Sequence, residues 1–250
     1  MAQQATSTQA IRAHGLDPQK LVDKITRSKV YASEFWLSRC FALDVAGVVE
    51  VAAKDVHAIG ALYGGSLNRA HPFLCLLVKL LQLGPAFEVA AELVQQHSLK
   101  YLRALGAAYI RMTAGSAQVY SQLEPLYADF RKLRVLQTDG SFTLIHMDEF
   151  VDELLHDGQG PNQHILGIPF VKLQKRSVLE QTGQLEPYIS VVRDELEREI
   201  ALGTGPPLKR PRIGSLLTPK EDEQGVQVPY PTDIDGWNAL RAILGLRPLE

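Results

Sequence analysis

The sequence lacks the features of a membrane protein, a disulfide-rich secreted protein or a polycation. Its 250 residues carry a formal net charge of -2, so the chain as a whole is not built to coat a nucleic acid. The most apolar segment, Phe73 to Leu83, is interrupted by Lys79 and Gln82 and is far shorter than the roughly 20 residues that span a bilayer. Cys40 and Cys75 both lie in apolar surroundings, where buried free thiols are expected. Two buried thiols and no disulfide framework favour a protein of a reducing compartment.

Motifs for catalysis or metal binding are also missing. No Cys-x-x-Cys, His-Glu-x-x-His or Gly-x-x-x-x-Gly-Lys-Ser/Thr pattern occurs. Tyr63-Gly64-Gly65 lacks a preceding strand, and we interpret it as a turn after a helix in which glycine supplies a positive φ. The spacing of His146, Glu149, Glu153 and His156 would place two histidines and two carboxylates on one helical face, as in a metal-dependent enzyme. A solvated acidic helix, or an acidic helix that docks a basic partner, explains the same residues. The sequence therefore predicts neither an enzyme nor a cofactor.

Helical periodicity dominates the chain from Asp17 onward. Asp17-Pro18, Ser33 and Asp44 are N-cap signals that each precede an apolar stripe. Pro72 to Leu83 is apolar nearly all round, as in the buried centre of a helical domain. Pro125 should kink or split its helix. Further helices are predicted over Val171 to Glu180 and Pro187 to Leu202. Among the apolar positions at helical spacing are Leu21, Val22, Ile25, Val48, Ala52, Leu93, Val94, Leu102, Leu105, Tyr109, Met112, Val119, Leu123, Leu126 and Phe130.

One strand signal interrupts the helices. Leu133 to Gln137 and Phe142 to His146 flank Thr138-Asp139-Gly140-Ser141, and Asp-Gly between alternating apolar segments is a strong hairpin cue. A lone hairpin is marginal in water, so this one should pack on the helices. Asp148 to Leu155 then has the pattern of a short acidic helix. The predicted fold is mainly α, with a single multi-helix domain, one small β-hairpin and a flexible C-terminal tail.

Composition divides the chain into four segments. We predict a flexible leader over residues 1–16, a helical domain over 17–202, a Pro/Gly-rich linker over 203–232 and a short helix over 233–250. Half of the fourteen prolines follow Gly203, which is typical of a disordered linker. The basic cluster Lys209 to Arg212 suits nuclear import. Because an isolated helix as short as the last one is marginal, its apolar face needs either the chain's own core or the groove of another protein.

Many collinear blocks of the sequence resemble the pre-mRNA-splicing factor 38 family. The resemblance runs from about Asp17 to about Glu186, and the blocks that carry it are Leu21 to Ile25, Tyr31 to Trp36, Ile59 to Gly65, Pro72 to Leu76, Lys100 to Arg111, Leu123 to Lys132 and His146 to Leu155. It implies a non-enzymatic helical scaffold in the nucleus, a component of the spliceosomal tri-snRNP or precatalytic spliceosome that acts when the spliceosome is activated. The implied partners are a zinc-finger tri-snRNP protein and a microfibrillar-associated-protein homologue.

The C-terminal helix carries a second resemblance, to an element that binds a ubiquitin-like splicing modifier. Arg241 would form a salt bridge to the modifier, and Leu240 and Leu244 would supply apolar contacts. The residues expected to bind the modifier are Trp237, Leu240, Arg241, Leu244, Leu246 and Leu249.

Two surfaces of the domain are candidates for binding. We expect protein contacts at the acidic helix, through Asp148, Glu149, Asp152 and Glu153, and at the adjacent hairpin. The alternative is a direct RNA-binding module of the spliceosome, because Tyr127 and Phe130 interleave with Arg131, Lys132 and Arg134. Further cations for it are Lys20, Lys24 and Arg27. The near-neutral charge disfavours this alternative, so small nuclear RNA would be contacted indirectly or weakly.

Overall fold

The computed structural model describes residues 4–65, 68–156, 165–187 and 198. The chain divides into two compact units, residues 1–187 and 188–250, and the first is described here. The described part is mainly helical, as predicted, and none of its helices is long and apolar enough to cross a membrane. The helices are α1 (Lys24–Tyr31), α2 (Val45–Asp55), α3 (Pro72–Leu83), α4 (Phe87–Gln95), α5 (Lys100–Thr113), α6 (Ser116–Leu123), α7 (Met147–Leu155) and α8 (Arg176–Gln181). The strands are β1 (Ile59–Gly60), β2 (Leu62–Tyr63), β3 (Arg69–Ala70), β4 (Lys132–Leu136) and β5 (Phe142–His146).

The first helical segment is broken where the sequence predicts continuity. Asp17 caps only a 3₁₀ turn, Pro18–Leu21, and the backbone at Val22 is extended. Asp23 then caps α1 by accepting a hydrogen bond from the Thr26 N–H at 2.8 Å. This break shifts the helical phase, so Val22 is fully buried while Ile25 is 69% exposed. The prediction that Ile25 faces the core is therefore wrong.

The centre of the domain is α3, as predicted. Every residue from Phe73 to Gln82 is buried, and Gly84 ends the helix in the left-handed conformation with φ 58°. Helices α1, α2 and α5 contact α3. The predicted caps at Ser33 and Asp44 are confirmed by their hydrogen bonds from the Trp36 and Gly47 N–H groups. Cys40 and Cys75 are free and buried in this core, and burial raises the pKa of both thiols.

Helix α5 forms the second layer of the core, with Leu102 to Met112 buried. Helix α4 packs closely on it at Gly106, because a Cβ atom there would lie 2.9 Å from the Leu93 Cβ and 3.1 Å from the Val94 N. Gly106, without a side chain, therefore permits the close approach of α4.

The predicted hairpin is confirmed, but it belongs to a larger sheet. β4 and β5 pair antiparallel with Val135 opposite Thr143, and β1 pairs parallel with β4 through Ile59. β2 and β3 form a second, two-stranded sheet. The prediction of a single hairpin is therefore incomplete, because strands of two residues leave no periodic signal in the sequence.

The glycine turn follows a strand and not a helix, contrary to the prediction. Gly64 and Gly65 follow β2, and both have positive φ as expected. Their N–H groups donate to the Thr138 carbonyl at 3.0 and 3.2 Å. The turn thus holds the tip of the hairpin.

Two further helical predictions need correction. Pro125 splits its helix as expected, into α6 and the 3₁₀ turn Glu124–Ala128, but beyond that turn Phe130 is 69% exposed. The helix predicted from Val171 begins only at Arg176. The Val171 carbonyl accepts from Arg111 Nη1, and the Gln174 N–H donates to Ser116 Oγ. These side chains form hydrogen bonds with backbone groups that would otherwise pair within a longer helix.

The predicted flexible leader differs from the structure in its described part. The Ser7 N–H donates to the Gln82 carbonyl at 2.9 Å, and His14 Nε2 lies 3.1 Å from the Met112 carbonyl. Residues 4–16 therefore lie on the helical domain. The predicted linker over 203–232 and the helix over 233–250 lie outside the described residues, as does the helix predicted over 187–202 apart from Pro187 and Arg198.

Candidate protein-interaction surface

Helix α7 presents an acidic face and buries an apolar one. Its N-terminus is closed by the Glu149 carboxylate, which accepts a hydrogen bond from the His146 N–H at 2.8 Å. Carboxylates in this first turn also interact favourably with the helix dipole. The helix packs against α5 and the Glu124–Ala128 turn. Its buried side chains are Met147, Phe150, Val151, Leu154 and Leu155.

The four predicted acidic contact residues are not equivalent. The Glu149 and Asp152 side chains are 59% and 57% exposed. Asp148 and Glu153 are half-buried, and Glu153 accepts a hydrogen bond from the Ile165 N–H. Burial raises the pKa of Glu153. The acidic surface open to a partner therefore consists chiefly of Glu149 and Asp152.

Asp152 connects α7 to the preceding turn. Its Oδ1 accepts a hydrogen bond from the Tyr127 hydroxyl at 3.0 Å and lies 3.0 Å from His156 Nδ1. Burial and the Asp152 carboxylate raise the pKa of Tyr127. Tyr127 is thus directed toward α7 and is not available as a stacking platform beside Arg131.

The metal-dependent hypothesis receives no support from the geometry. His146 Nδ1 lies 3.6 Å from Glu149 Oε2, but His156 pairs with Asp152, and Glu153 binds the backbone at Ile165. In the described part of the chain, no group of three or more His, Cys, Asp or Glu side chains is arranged to hold a metal ion.

The outer hairpin face is the second exposed surface, and we define it as the outward side chains of β4 and β5. In the register of the hairpin, Lys132 is opposite His146, Arg134 is opposite Leu144, and Leu136 is opposite Phe142. Phe142 and Leu144 are 54% and 66% exposed, while Leu133 and Val135 on the other face are buried. The Arg134 guanidinium carbon lies 4.7 Å from the centroid of the Phe142 ring. Phe142 and Leu144 are two residues apart in β5 and so share one face of the strand, but neither is predicted as a contact residue from the sequence.

The cations Arg131, Lys132 and Arg134, proposed for RNA contact, differ in whether they bind other residues of the domain. Arg131 donates to both carboxylate oxygens of Asp129, at 2.8 Å from Nε and 2.6 Å from Nη2. Arg103 Nη1 donates to the same carboxylate at 2.7 Å. These hydrogen bonds hold the pKa of Asp129 well below its usual range and raise the pKa of Arg131. Arg131 therefore serves the fold, whereas Lys132 and Arg134 lie exposed on the outer hairpin face.

Comparison with known proteins decides the family. The family model described as "PRP38 family" matches residues 11–183. The chain belongs to the PRP38 family. Pre-mRNA-splicing factor 38A of Xenopus laevis is 41% identical over 192 residues, which cover 77% of this chain and 59% of that protein. Pre-mRNA-splicing factor 38 of Drosophila melanogaster is 37% identical over 224 residues, which cover 90% and 64%. Pre-mRNA-splicing factor 38A of Homo sapiens is 41% identical over 184 residues, which cover 74% and 57%.

The matched region is thus about three fifths of these PRP38 relatives. A solved structure, the crystal structure of the Snu23-Prp38-MFAP1(217-258) complex of Chaetomium thermophilum, is also similar. The TM-score is 0.67 at 35% sequence identity, and the similarity covers 77% of this chain and 98% of that one. The mainly helical fold with its small sheets is therefore that of a PRP38 domain.

Proposed function

We propose that this PRP38 chain is a non-enzymatic scaffold of pre-mRNA splicing in the nucleus, which docks other spliceosomal proteins when the spliceosome is activated. The observation that carries the proposal is the family itself, because the relatives that match the domain are named as splicing factors.

The similar solved structure supports a choice of partners. In it, a Prp38 chain is complexed with Snu23 and with residues 217–258 of MFAP1. We take these two as the zinc-finger protein and the microfibrillar-associated-protein homologue that the sequence resemblance implies. Counterparts of both are the partners that we propose for this chain.

We place the docking surface on the exposed acids of α7 and on the outer hairpin face. Glu149 and Asp152 give a negative surface on α7, and Phe142 and Leu144 give apolar area on the strand that leads into it. Exposed apolar groups that adjoin charged ones are typical of interaction sites, because apolar area supplies affinity while charge supplies specificity.

A pull-down from nuclear extract with the full-length chain tests the proposal. Wild-type protein should recover splicing proteins that include both partners. Asp152→Lys should lower recovery of at least one partner by about tenfold, since reversing a charge at an interface costs on the order of 1–3 kcal/mol. The control Glu92→Lys on α4 reverses another exposed charge, far from this surface in sequence. It should leave the recovery of both partners unchanged. Recovery of no splicing protein by the wild type would refute the scaffold function.

Direct RNA binding is the second candidate, and the exposed Lys132 and Arg134 favour it. Isolated full-length protein would then bind single-stranded RNA with a steep salt dependence, and removing each cation that binds a phosphate would reduce the slope by about one. We expect weak binding, because Arg131 is engaged by Asp129. A steep slope that falls by about two in the double variant Lys132→Gln with Arg134→Gln would make RNA binding the primary function.

A further inference from the structure

The β5 strand has an open backbone edge, and the hydrogen bonds of the hairpin locate it. The Gln137 N–H donates to the Ser141 carbonyl at 2.9 Å, and the Met147 N–H donates to the Arg131 carbonyl at 3.0 Å. Since hydrogen-bonded pairs alternate along an antiparallel ladder, Leu133 with Ile145 and Val135 with Thr143 are the bonded pairs between these ends. The peptide groups of Phe142 and Leu144 therefore point away from β4.

This edge is open over a short stretch only. Among the described residues β5 ends the sheet, in the strand order β1-β4-β5. The outward N–H of His146 is taken by the Glu149 carboxylate. For the outward groups of Phe142 and Leu144 no hydrogen-bond partner exists in the described part of the chain. Proteins usually protect such edges with a charge, a proline or a cover, because an unpaired edge pairs with other chains.

The side chains around the open stretch define what would pair with it. Phe142 and Leu144 rise from β5 on the outer hairpin face, and both are more than half exposed. Arg134 reaches across from β4, so its guanidinium lies over the Phe142 ring near the edge. A strand added here would place apolar side chains beside Phe142 and Leu144 and a carboxylate within reach of Arg134.

We propose that the β5 edge binds an extended acidic and apolar segment of a protein partner, which adds a fourth strand to the sheet. This inference rests on the scaffold function and names the mode of binding at one part of its surface. A second copy of the chain fits less well, because pairing β5 with its own copy would bring two Arg134 side chains to the same face.

The test uses a variant that changes only the outward edge. Leu144→Pro removes the outward N–H and keeps the bonds of Thr143 and Ile145 to β4, since proline is tolerated on an edge strand whose N–H faces solvent. Leu144→Thr is the matched control, because it reduces apolar area and retains the N–H. Amide exchange of Ile145 verifies that the hairpin is intact in both variants.

The probe is a short synthetic peptide of alternating valine and aspartate, compared with the same peptide N-methylated at every second amide. With the full-length chain, the unmethylated peptide should slow amide exchange at Phe142 and Leu144. Methylation, or Leu144→Pro, should weaken binding by about tenfold or more, because both remove backbone hydrogen bonds. Arg134→Gln should weaken it severalfold, and added salt should then have less effect.

Several outcomes would overturn the proposal. One is no binding at millimolar peptide, and another is equal binding of both peptides. The amides of Phe142 and Leu144 could exchange slowly in the free chain and rapidly after deletion of 188–250. That result would assign the edge to the chain's own segment. Protection that grows with protein concentration alone would assign it to a second copy.

The same variants in nuclear extract separate this proposal from the scaffold function. If Leu144→Pro recovers every splicing protein that the wild type recovers, the edge proposal fails and the scaffold stands. If the wild type recovers none, the scaffold fails, while the peptide measurement still decides whether the edge accepts a strand.

Discussion

At the scale of single residues, buried polar side chains bind backbone groups, including those at helix ends. His71 is 9% exposed and caps α3 by accepting a hydrogen bond from the Phe73 N–H at Nδ1, 3.2 Å away. Arg111 is 1% exposed and donates to carbonyls at Leu154 and Val171. His71 directly precedes α3 and Arg111 lies within α5, both elements of plain apolar character, but the sequence shows neither role.

His71 should make the fold sensitive to mild acid. Burial lowers the pKa of His71 to about 4, from an unfolded value of about 6.5. The stability from neutral His71 is therefore fully present above about pH 6.5 and is lost as the pH falls toward 4, by up to about 3 kcal/mol. His71→Asn keeps a cap that cannot titrate. Urea unfolding of this variant should show a flatter pH dependence than the wild type between about pH 7 and 4. Parallel curves would show that His71 does not govern this range.

Arg111 should be among the most sensitive positions of the domain. Its Nε donates to the Leu154 carbonyl at 2.6 Å, in the last turn of α7, where carbonyls lack partners within the helix. Its guanidinium carbon also lies 4.9 Å from the centroid of the Phe170 ring. Arg111→Met keeps the volume but leaves these carbonyls without their donor, which should cost about 2–4 kcal/mol in thermal or urea unfolding. The exposed Arg12→Met should change stability by less than about 0.5 kcal/mol, and an equally mild effect at Arg111 would contradict this structural role.

At the scale of elements, the hairpin turn depends on one glycine. Gly140 has φ 91°, and a Cβ atom there would meet nothing within 4 Å. A side chain at this position therefore costs backbone strain and no steric clash. Gly140→Val should lower the free energy of unfolding by about 1–2 kcal/mol, and Gly140→Asn by less, since asparagine tolerates positive φ. Equal losses in urea unfolding would indicate a contact and not strain.

Elements with local signals could be predicted, and those that depend on distant pairing could not. Ser33, Asp44 and the Asp139-Gly140 turn act on their neighbours, so their roles follow from adjacent residues. The pairing of Ile59 with Val135 joins parts far apart in the sequence, and no periodicity reports it. The predicted burial of Ile25 is wrong for a related reason. Asp23 caps a new helix, so the apolar positions counted along one continuous helix no longer share a face.

The candidate surface shows the same division. Helix α7 and its exposed acids Glu149 and Asp152 follow from the sequence pattern. The sequence does not show that Glu153 accepts a hydrogen bond from the Ile165 N–H, or that Arg131 donates to Asp129. Both bonds depend on how the elements pack. The open edge at Phe142 and Leu144 needed the observed register, because a shift of one residue would turn those peptide groups toward β4.

At the scale of the whole molecule, the two compact units predict separable binding activities. The first, residues 1–187, contains the entire described core, and the second contains the segment that resembles a modifier-binding element. A chain that ends at residue 232 should therefore unfold at the same temperature as the full chain and recover the same zinc-finger and microfibrillar-associated partners. It should lose only the ubiquitin-like modifier.

Arg241→Ala in the full-length chain refines this prediction to one contact. If Arg241 forms a buried salt bridge, its removal should weaken modifier binding by about 2–5 kcal/mol, measured by calorimetry with purified modifier. Arg247→Ala, in the same terminal segment, is the matched control and should have a smaller effect, because Arg247 is not among the residues expected to bind. Loss of the zinc-finger partner on truncation at 232 would instead show that the two units act as one binding surface. Unchanged modifier binding in Arg241→Ala would show that the resemblance does not predict the contacts of the C-terminal segment. The scaffold function of residues 1–187 would not be affected.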